Sequence, residues 1–269
     1  MRDHIVEIRR KEIAERYRNI SRDDLRNQLG DRDQDRPFDE ALTRMGISVI
    51  AEFKRKSPTR GDIAVAADLP RTVEAYERGG AAALSVLTET THFGGDFKDL
   101  KAARQASSLP ILCKDFIVDG RQLYEAAITG ADAVLLIAGA VPDSELEELY
   151  EEAVEIDLDC IVEVNDSDEL NRALELGADV IGINNRNFKQ PRFEEQVDLD
   201  VTRELMREFP AGKTLVSESG ITSRADIEDL ESRGVDAVLI GTALMLADDP
   251  EAFLRELVVD EEVTREHYL

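Results

Sequence analysis

The sequence has few of the residues that form disulfides, metal sites or membrane spans. Only two of its 269 residues are cysteine, Cys113 and Cys160, and each lies within an apolar run typical of a buried strand. The three histidines, His4, His92 and His267, have no metal-ligand spacing, so we predict no metal. No run of about eighteen apolar residues predicts a membrane span, and the charged amino terminus is unlike a secretion signal. We therefore expect a cytoplasmic protein.

Basic residues are also scarce relative to acidic ones. Asp and Glu total 58 against 33 Lys and Arg, which gives a formal net charge of −25, and only eight residues are lysine. The acidic residues are spread over every segment, which argues against nucleic acid or an anionic membrane as a partner. Such a surface is typical of halophilic proteins, because concentrated salt screens its self-repulsion. An ordinary acidic cytosolic protein is the alternative.

An internal repeat predicts the fold. In four segments the end of an amphipathic helix is followed by a glycine and a β-rich apolar run: 77–87, 128–137, 174–184 and 231–241. Further apolar runs lie between them, at 47–54, 109–116, 159–164 and 213–219. Eight apolar strands alternating with helices predict an α/β protein with a closed (β/α)8 TIM barrel. No Gly-x-Gly-x-x-Gly motif follows a strand, which weighs against an open dinucleotide-binding sheet.

The first 46 residues contain no β signal and predict an N-terminal helical extension. We expect helices at about residues 3–18, from Ser21 as the N-cap, and from Pro37 through Met45. Residues 1–269 are expected to form a single domain, with the barrel at 47–269. The extension is predicted to cap a mouth of the barrel, and a simple structural appendage is the alternative.

Charged side chains interrupt the apolar strands near their carboxyl ends, where the active sites of such barrels lie. Glu52 and Lys54 lie in the first strand, Lys114 ends the third and Glu163 lies in the fifth. Any one of them could form an ion pair at the barrel rim, but together they predict an active site, since unpaired buried charge is costly. With no histidine at the strand ends, these groups would transfer the protons. Burial can bring their pKa values toward neutrality.

The last two strands end in glycine and hydroxyl residues, at SESGI (217–221) and IGTALM (240–245). Backbone N–H groups at the start of a helix bind phosphate, and the loops after strands 7 and 8 are the usual phosphate site of TIM barrels. Ordinary helix capping is the alternative for each turn. As a pair, the two turns predict a phosphate site.

Several of these segments resemble the indole-3-glycerol phosphate synthase family. The resemblance is carried above all by IAEFKRKSPTRGDI (50–63), LPILCKDFIVD (109–119), IVEV (161–164) and IGINNRNF (181–188). It implies a carboxy-lyase of tryptophan biosynthesis that converts 1-(2-carboxyphenylamino)-1-deoxyribulose 5-phosphate into indole-3-glycerol phosphate, CO2 and water. No redox step occurs, so no cofactor is expected. The only partner expected is this anionic sugar phosphate, bound by a monomer or weak homodimer.

The resemblance also implies a role for each site residue. Lys114 is similar to the general acid that protonates the substrate carbonyl, and Glu163 to the acid–base group of the later dehydration. Lys54 would hold the substrate carboxylate and could share in proton transfer, and Glu52 would orient Lys114 or Lys54 and hold the positive charge. The implied substrate-binding residues are Asn184, Arg186, Glu218 and Ser219, and the implied phosphate-binding residues are Ser57, Gly220, Gly241 and Thr242. The sequence departs from the family pattern at Thr59, Gly95, Arg121 and Asn165.

Two rival interpretations remain open. One is phosphoribosylanthranilate isomerase, another phosphate-binding barrel of the same pathway, whose acid–base pair is usually a cysteine and an aspartate. The first strand here carries Glu52 and Lys54 and no cysteine. The other is a non-catalytic member that serves as a scaffold in a tryptophan-pathway assembly. The presence of Lys114 and Glu163 argues against loss of the site.

The acidic surface makes stability testable against salt. The unfolding temperature is expected to be higher in about 1 M KCl than in dilute buffer, because the Debye length falls to roughly 3 Å. Sucrose at matched osmolality is the control, since it stabilises by exclusion without screening charge. Equal unfolding temperatures in dilute buffer and in KCl would contradict salt adaptation.

Overall fold

Eight apolar segments form parallel strands that close into a barrel in the computed structural model, which describes residues 1–30, 36–186 and 197–258. The strands are β1 (Ser48–Phe53), β2 (Ala83–Leu87), β3 (Ile111–Lys114), β4 (Ala133–Ile137), β5 (Asp159–Val164), β6 (Val180–Asn184), β7 (Thr214–Glu218) and β8 (Ala237–Ile240). Each pairs with the next, and β8 closes the barrel against β1, with Ile50 opposite Leu239. Helices cover the strands from outside, which explains their nearly continuous apolar sequences. The predicted (β/α)8 barrel is confirmed.

The helices lie in the extension and after each strand. They are α1 (Arg2–Arg16), α2 (Arg22–Arg26), α3 (Phe38–Leu42), α4 (Leu69–Arg78), α5 (Phe97–Ala106), α6 (Arg121–Thr129), α7 (Asp143–Glu155), α8 (Ser167–Leu176), α9 (Asp200–Leu205), α10 (Arg224–Ser232), α11 (Thr242–Leu246) and α12 (Pro250–Leu257). Gly130 and Gly177 end α6 and α8 at φ of 104° and 82°, which glycine adopts without a Cβ clash. None of the helices in the described ranges has both the length and the apolar character needed to cross a membrane.

The helices of the extension contact opposite ends of the barrel. On α1, Arg9 pairs with Asp115, which directly follows the carboxyl end of β3. On α3, the backbone N–H of Phe38 donates to Oδ2 of Asp159, at the start of β5, at a distance of 2.8 Å. The side chain of Phe38 is fully buried. Thus α1 lies beside the carboxyl-terminal face, and α3 packs at the amino-terminal end.

The structure also refines the predicted extension. Ser21 caps α2 and forms a capping box with Asp24, as expected for an N-cap residue. The third helix ends at Leu42 and is shorter than predicted, and residues 43–46 bend the chain into β1, with Gly46 at a φ of 79°. An antiparallel ribbon of Lys56–Ser57 and Gly61–Asp62, which we did not predict, follows β1.

Phe38 provides a test of the packing at the amino-terminal end. Phe38→Ala is expected to lower the free energy of unfolding by about 3–5 kcal/mol, because it leaves a cavity beneath the barrel. Urea unfolding at fixed KCl concentration measures the change. Met45→Ala is the control, since Met45 is 84% exposed. A loss no larger than that of the control would show that α3 does not pack as described.

Candidate active site

A cavity of about 470 Å³ opens at the carboxyl-terminal ends of the strands. Eleven of the twelve predicted site residues line it: Glu52, Lys54, Lys114, Glu163, Asn184, Arg186, Glu218, Ser219, Gly220, Gly241 and Thr242. The structure therefore brings together groups from strands that are far apart in sequence.

Ser57 is the predicted site residue outside this lining. It lies in the ribbon after β1, where its buried hydroxyl accepts a hydrogen bond from the backbone N–H of Arg60 at 3.1 Å. Arg60, which the sequence analysis did not single out, lines the cavity. The fold of the ribbon determines whether Ser57 or Arg60 faces the cavity. The sequence could not show this, because strands of two residues are too short to produce a periodic pattern.

Lys114 lies between two carboxylates from distant strands. Its Nζ is 2.9 Å from Oε2 of Glu163 and 2.5 Å from Oε2 of Glu218. Both carboxylates are buried. Burying three charges is favourable only when they pair this closely, because each loses its hydration.

Glu52 and Lys54 form a second ion pair in the same cavity. Lys54 Nζ donates to Oε1 of Glu52 at 2.8 Å, and the Ser85 hydroxyl donates to Oε2 at 3.3 Å. Gly241 passes so close that a Cβ there would lie 2.4 Å from Oε1 of Glu52 and 3.0 Å from Lys54 Nζ. Gly241 therefore leaves room for the Glu52–Lys54 ion pair, whether or not it also contacts a ligand.

The pairing shifts the pKa values in different directions. Burial alone would lower the pKa of Lys114, but Glu163, Glu218 and Glu52 outweigh it and raise the pKa above its ordinary value. Burial alone would raise the pKa of Glu52, but Lys54 and Lys114 hold it below its usual range. Burial raises the pKa of Glu218 to about 7, against the opposing effect of Lys114. The expectation that burial brings the pKa values of the predicted proton-transfer groups toward neutrality is therefore wrong for Lys114 and Glu52. The carboxyl group whose pKa does approach neutrality is that of Glu218, which was predicted as a substrate-binding residue.

One carboxylate oxygen of Glu218 lacks a hydrogen-bond partner within the described ranges. Its Oε1 is buried and, among the described residues, accepts no hydrogen bond. A Cβ at position 182 on β6 would lie 2.3 Å from this oxygen and 2.9 Å from Cγ2 of Ile161. Gly182 therefore leaves the space that Glu218 occupies.

The end of β6 is fixed by side chains from the segment after β5 and from the ribbon after β1. Asn184 Oδ1 accepts from the backbone N–H of Arg186 at 3.0 Å, and Arg186 Nη1 donates to the hydroxyl of Thr59 at 2.8 Å. Asn165 is one of the positions that depart from the family pattern. Its Nδ2 donates to the carbonyls of Asn184 and Arg186. Residues 187–188, the last two of the resembling segment 181–188, lie outside the described residues.

Asn185 is a structural residue of the site that the sequence analysis missed. Its buried Nδ2 donates at 3.0 Å to the Ser217 hydroxyl and to the carbonyls of Glu218 and Ser219. Its Oδ1 accepts from the N–H of Thr202 at 3.1 Å. These bonds hold Ser219 at a φ of 69°, which is uncommon outside glycine. The signal was an adjacent pair of asparagines, of which only the first was chosen.

Apolar side chains also line the cavity. Phe93 and Phe116 line it with ring centroids 6.3 Å apart, and Leu135, Ile137 and Leu239 contribute aliphatic surface. These residues were not predicted as site residues, because apolar residues in and beside barrel strands are expected in any barrel core. The cavity thus combines charged groups with a surface that suits a planar ring.

The other two departures from the family pattern have structural roles. A Cβ at Gly95 would lie 2.1 Å from the carbonyl oxygen of Leu87, so the backbone leaves no room for a side chain there. Arg121 donates to the carbonyls of Tyr17 and Ile20, at 2.9 and 3.1 Å, and so attaches α6 to the extension.

The fold, with its charged cavity at the strand ends, is that of a (β/α)8 barrel enzyme. The family model of indole-3-glycerol phosphate synthase matches residues 2–257. An indole-3-glycerol phosphate synthase of Lachnospira eligens is 44% identical over 262 residues, covering 94% of this chain and 95% of the relative. One of Koribacter versatilis is 47% identical over 213 residues, covering 79% and 80%. The chain belongs to the indole-3-glycerol phosphate synthase family, which confirms the predicted family and lyase activity in tryptophan biosynthesis.

A solved structure supports the fold independently. The 3-hexulose-6-phosphate synthase of Salmonella typhimurium matches with a TM-score of 0.60, covering 82% of this chain and all of that protein. At 16% sequence identity, this likeness concerns the fold alone.

Gly182 provides a test of the site geometry. Gly182→Ala is expected to lower kcat/KM for indole-3-glycerol phosphate formation by about 100-fold, because its methyl group would displace Glu218 and disturb its pairing with Lys114. Gly30→Ala is the matched control, since nothing lies within 4 Å of a Cβ there. Circular dichroism verifies folding of both variants. Activity of Gly182→Ala within threefold of the control would contradict the described position of Glu218.

Proposed function

We propose that this cavity catalyses ring closure of 1-(2-carboxyphenylamino)-1-deoxyribulose 5-phosphate, with loss of CO2 and water, through Lys114, Glu163, Lys54 and Glu52. The family assignment supports the reaction. The observation that carries the assignment of residues is the buried ammonium of Lys114, 2.9 Å from Glu163 and 2.5 Å from Glu218. A positioned proton donor with carboxylates beside it suits a reaction that first protonates a carbonyl and later removes a hydroxyl.

The charge of the cavity favours an anionic sugar phosphate. Its lining carries four basic side chains (Lys54, Arg60, Lys114 and Arg186) and four acidic ones (Glu52, Asp115, Glu163 and Glu218). The whole chain, by contrast, has 58 acidic residues against 33 basic ones. The cavity is therefore less repulsive to an anion than the rest of the molecule.

The phosphate is proposed to bind where the loops after β7 and β8 meet. Ser219 and Gly220 take consecutive positive φ values of 69° and 88°, in a turn that lines the cavity beside Gly241 and Thr242. Turns of this kind expose backbone N–H groups to an anion. Ser57 would contribute only after the ribbon moves, since it does not line the cavity. Its hydroxyl accepts from the N–H of Arg60 and can still donate its own hydrogen. The substrate's aromatic ring would lie against Phe93 and Phe116.

Ring closure is the step proposed for Lys114. The aromatic carbon that carries the carboxylate forms a bond to the carbonyl carbon, and the carbonyl oxygen takes a proton from Nζ. The raised pKa keeps Lys114 charged until negative charge develops on that oxygen. An ammonium fixed by two carboxylates is preorganised to stabilise this charge, which is usually the largest contribution to catalysis. Asn184, Arg186, Glu218 and Ser219 are proposed to orient the substrate.

Decarboxylation and dehydration follow. Lys54 is proposed to hold the carboxylate until it leaves as CO2, when the bonding electron pair returns to the aromatic ring. Glu163 is proposed as the acid–base group that assists departure of the hydroxyl as water, while a proton leaves the adjacent carbon to complete the indole. Glu52 orients Lys54 through the 2.8 Å ion pair. Glu163 regains its proton from the adjacent carbon, and solvent reprotonates Lys114, because the carboxylate leaves as neutral CO2. No electrons are exchanged with another molecule.

We further propose a cytoplasmic, salt-adapted protein in which residues 1–269 form one domain. Support for a shared domain comes from Arg9 and Phe38, whose buried contacts join the extension to opposite ends of the barrel. The net charge of −25 supports salt adaptation. A monomer or weak homodimer stays a prediction.

Substitution of Lys114 tests the proposed chemistry. Lys114→Ala is expected to lower kcat by about 1000-fold or more, since it removes both a general acid and its charge. The measurement follows indole fluorescence during conversion of the carboxyphenylamino deoxyribulose phosphate. Lys213→Ala is the control, because Lys213 pairs with Asp179 away from the cavity. Absence of turnover by the native protein, or a loss below tenfold in Lys114→Ala, would contradict the proposal.

A further inference from the structure

Arg9, on the first helix of the extension, reaches the residue next to Lys114. Its Nε donates to Oδ1 of Asp115 at 2.9 Å, and its Nη2 donates to Oδ2 at 2.5 Å. Arg9 is 4% exposed and Asp115 is 2% exposed, so water screens the pair poorly. This two-point contact requires the planar fork of a guanidinium.

Asp115 in turn fixes the backbone that carries Lys114. Its Oδ1 accepts from the N–H of Phe116 at 2.7 Å, and its Oδ2 accepts from the hydroxyl of Thr88 at 2.7 Å. The backbone N–H of Thr88 donates to the carbonyl of Lys114 at 3.1 Å. The end of β3 is therefore fixed to the end of β2 on both sides of the Lys114–Asp115 peptide bond.

We propose that Arg9 is a positioning residue for catalysis, which holds Asp115 and thereby the β3 end from which Lys114 extends between Glu163 and Glu218. The proposal rests on the proposed function, because Lys114 is its proton donor. Arg9 itself does not line the cavity, whereas Asp115 does. The extension thus contributes to the active site through a buried ion pair and without touching the substrate.

Loss of Arg9 would leave Asp115 buried without its cation. A buried carboxylate in that position either takes up a proton or turns toward water, because an uncompensated buried charge is costly. Burial already raises the pKa of Asp115, and Arg9 is the chief opposing influence. Either response weakens the bonds to Phe116 and Thr88, so Lys114 is no longer held in register with Glu163.

A different ion pair on the same helix serves as the matched control. Arg10 Nη2 donates to Glu145 of α7 at 2.6 Å, and both side chains are 41% exposed. This pair attaches α1 to an outer helix. A longer contact, from Arg10 Nη1 to the carbonyl of Val118 at 3.4 Å, lies four residues beyond Lys114 and involves neither Asp115 nor β3. Substitution of Arg10 therefore distinguishes weaker attachment of the helix from mispositioning of Lys114.

The experiment compares Arg9→Met, Arg9→Lys and Arg10→Met with the native protein in the indole fluorescence assay. Arg9→Met is expected to lower kcat about 30- to 100-fold with KM within about threefold, because small misplacement of a catalytic group is costly. Arg9→Lys keeps the charge without the fork and is expected to recover part of this kcat. Arg10→Met is expected to keep kcat within twofold.

Two outcomes would overturn the positioning role: a kcat of Arg9→Met within threefold of the native value, or an equal loss in Arg10→Met. If Arg9→Met fails to fold, Thr88→Val answers the same question, since it keeps the shape and removes the hydroxyl that binds Asp115. We then expect kcat to fall about tenfold. An unchanged kcat would overturn the proposal. Absence of turnover by the native protein would instead contradict the proposed function.

Discussion

The site depends on one buried ammonium group held between two carboxylates. Lys114 reaches the middle of the barrel mouth from β3, and Glu163 and Glu218 meet it from β5 and β7. Separately, each of these charges would be costly to bury, but together they compensate one another. A closed barrel makes this possible, because the carboxyl ends of all eight strands converge on one face.

The same constraint explains several surrounding residues that do no chemistry. Gly182 and Gly241 have no room for a side chain, because Glu218 and Glu52 occupy that space. Asn185 fixes the turn after β7 through four partners on neighbouring segments, including the carbonyl of Glu218. The positions of the charged groups thus depend on glycines that leave room for them and on buried hydrogen bonds of the Asn185 side chain. The active site therefore depends on residues at the ends of several strands, including residues that do not take part in the chemistry.

Much of this arrangement was predictable from the sequence, for identifiable reasons. Buried strands appear as continuous apolar runs, so a charge within one, such as Lys114 or Glu163, stands out. The predicted convergence follows from the barrel and needs no side-chain detail. The direction of the pKa shift of Lys114 could not be predicted in this way, because it depends on how many carboxylates face one ammonium. The pairing of Arg9 with Asp115 also escaped prediction, since the residues are 106 positions apart. The ribbon that turns Arg60 toward the cavity consists of two-residue strands, too short to show a period.

The protonation state of Lys114 tests the central interaction most directly. Nitrogen-15 NMR of the lysine side chains, assigned by comparison with a Lys114→Arg spectrum, can follow the Nζ signal as the pH rises. The three surrounding carboxylates predict an ammonium that persists above about pH 10.4, the ordinary value for lysine. A Lys114 that loses its proton near neutral pH would contradict the account, because it would mean that desolvation outweighs the pairing with Glu163 and Glu218.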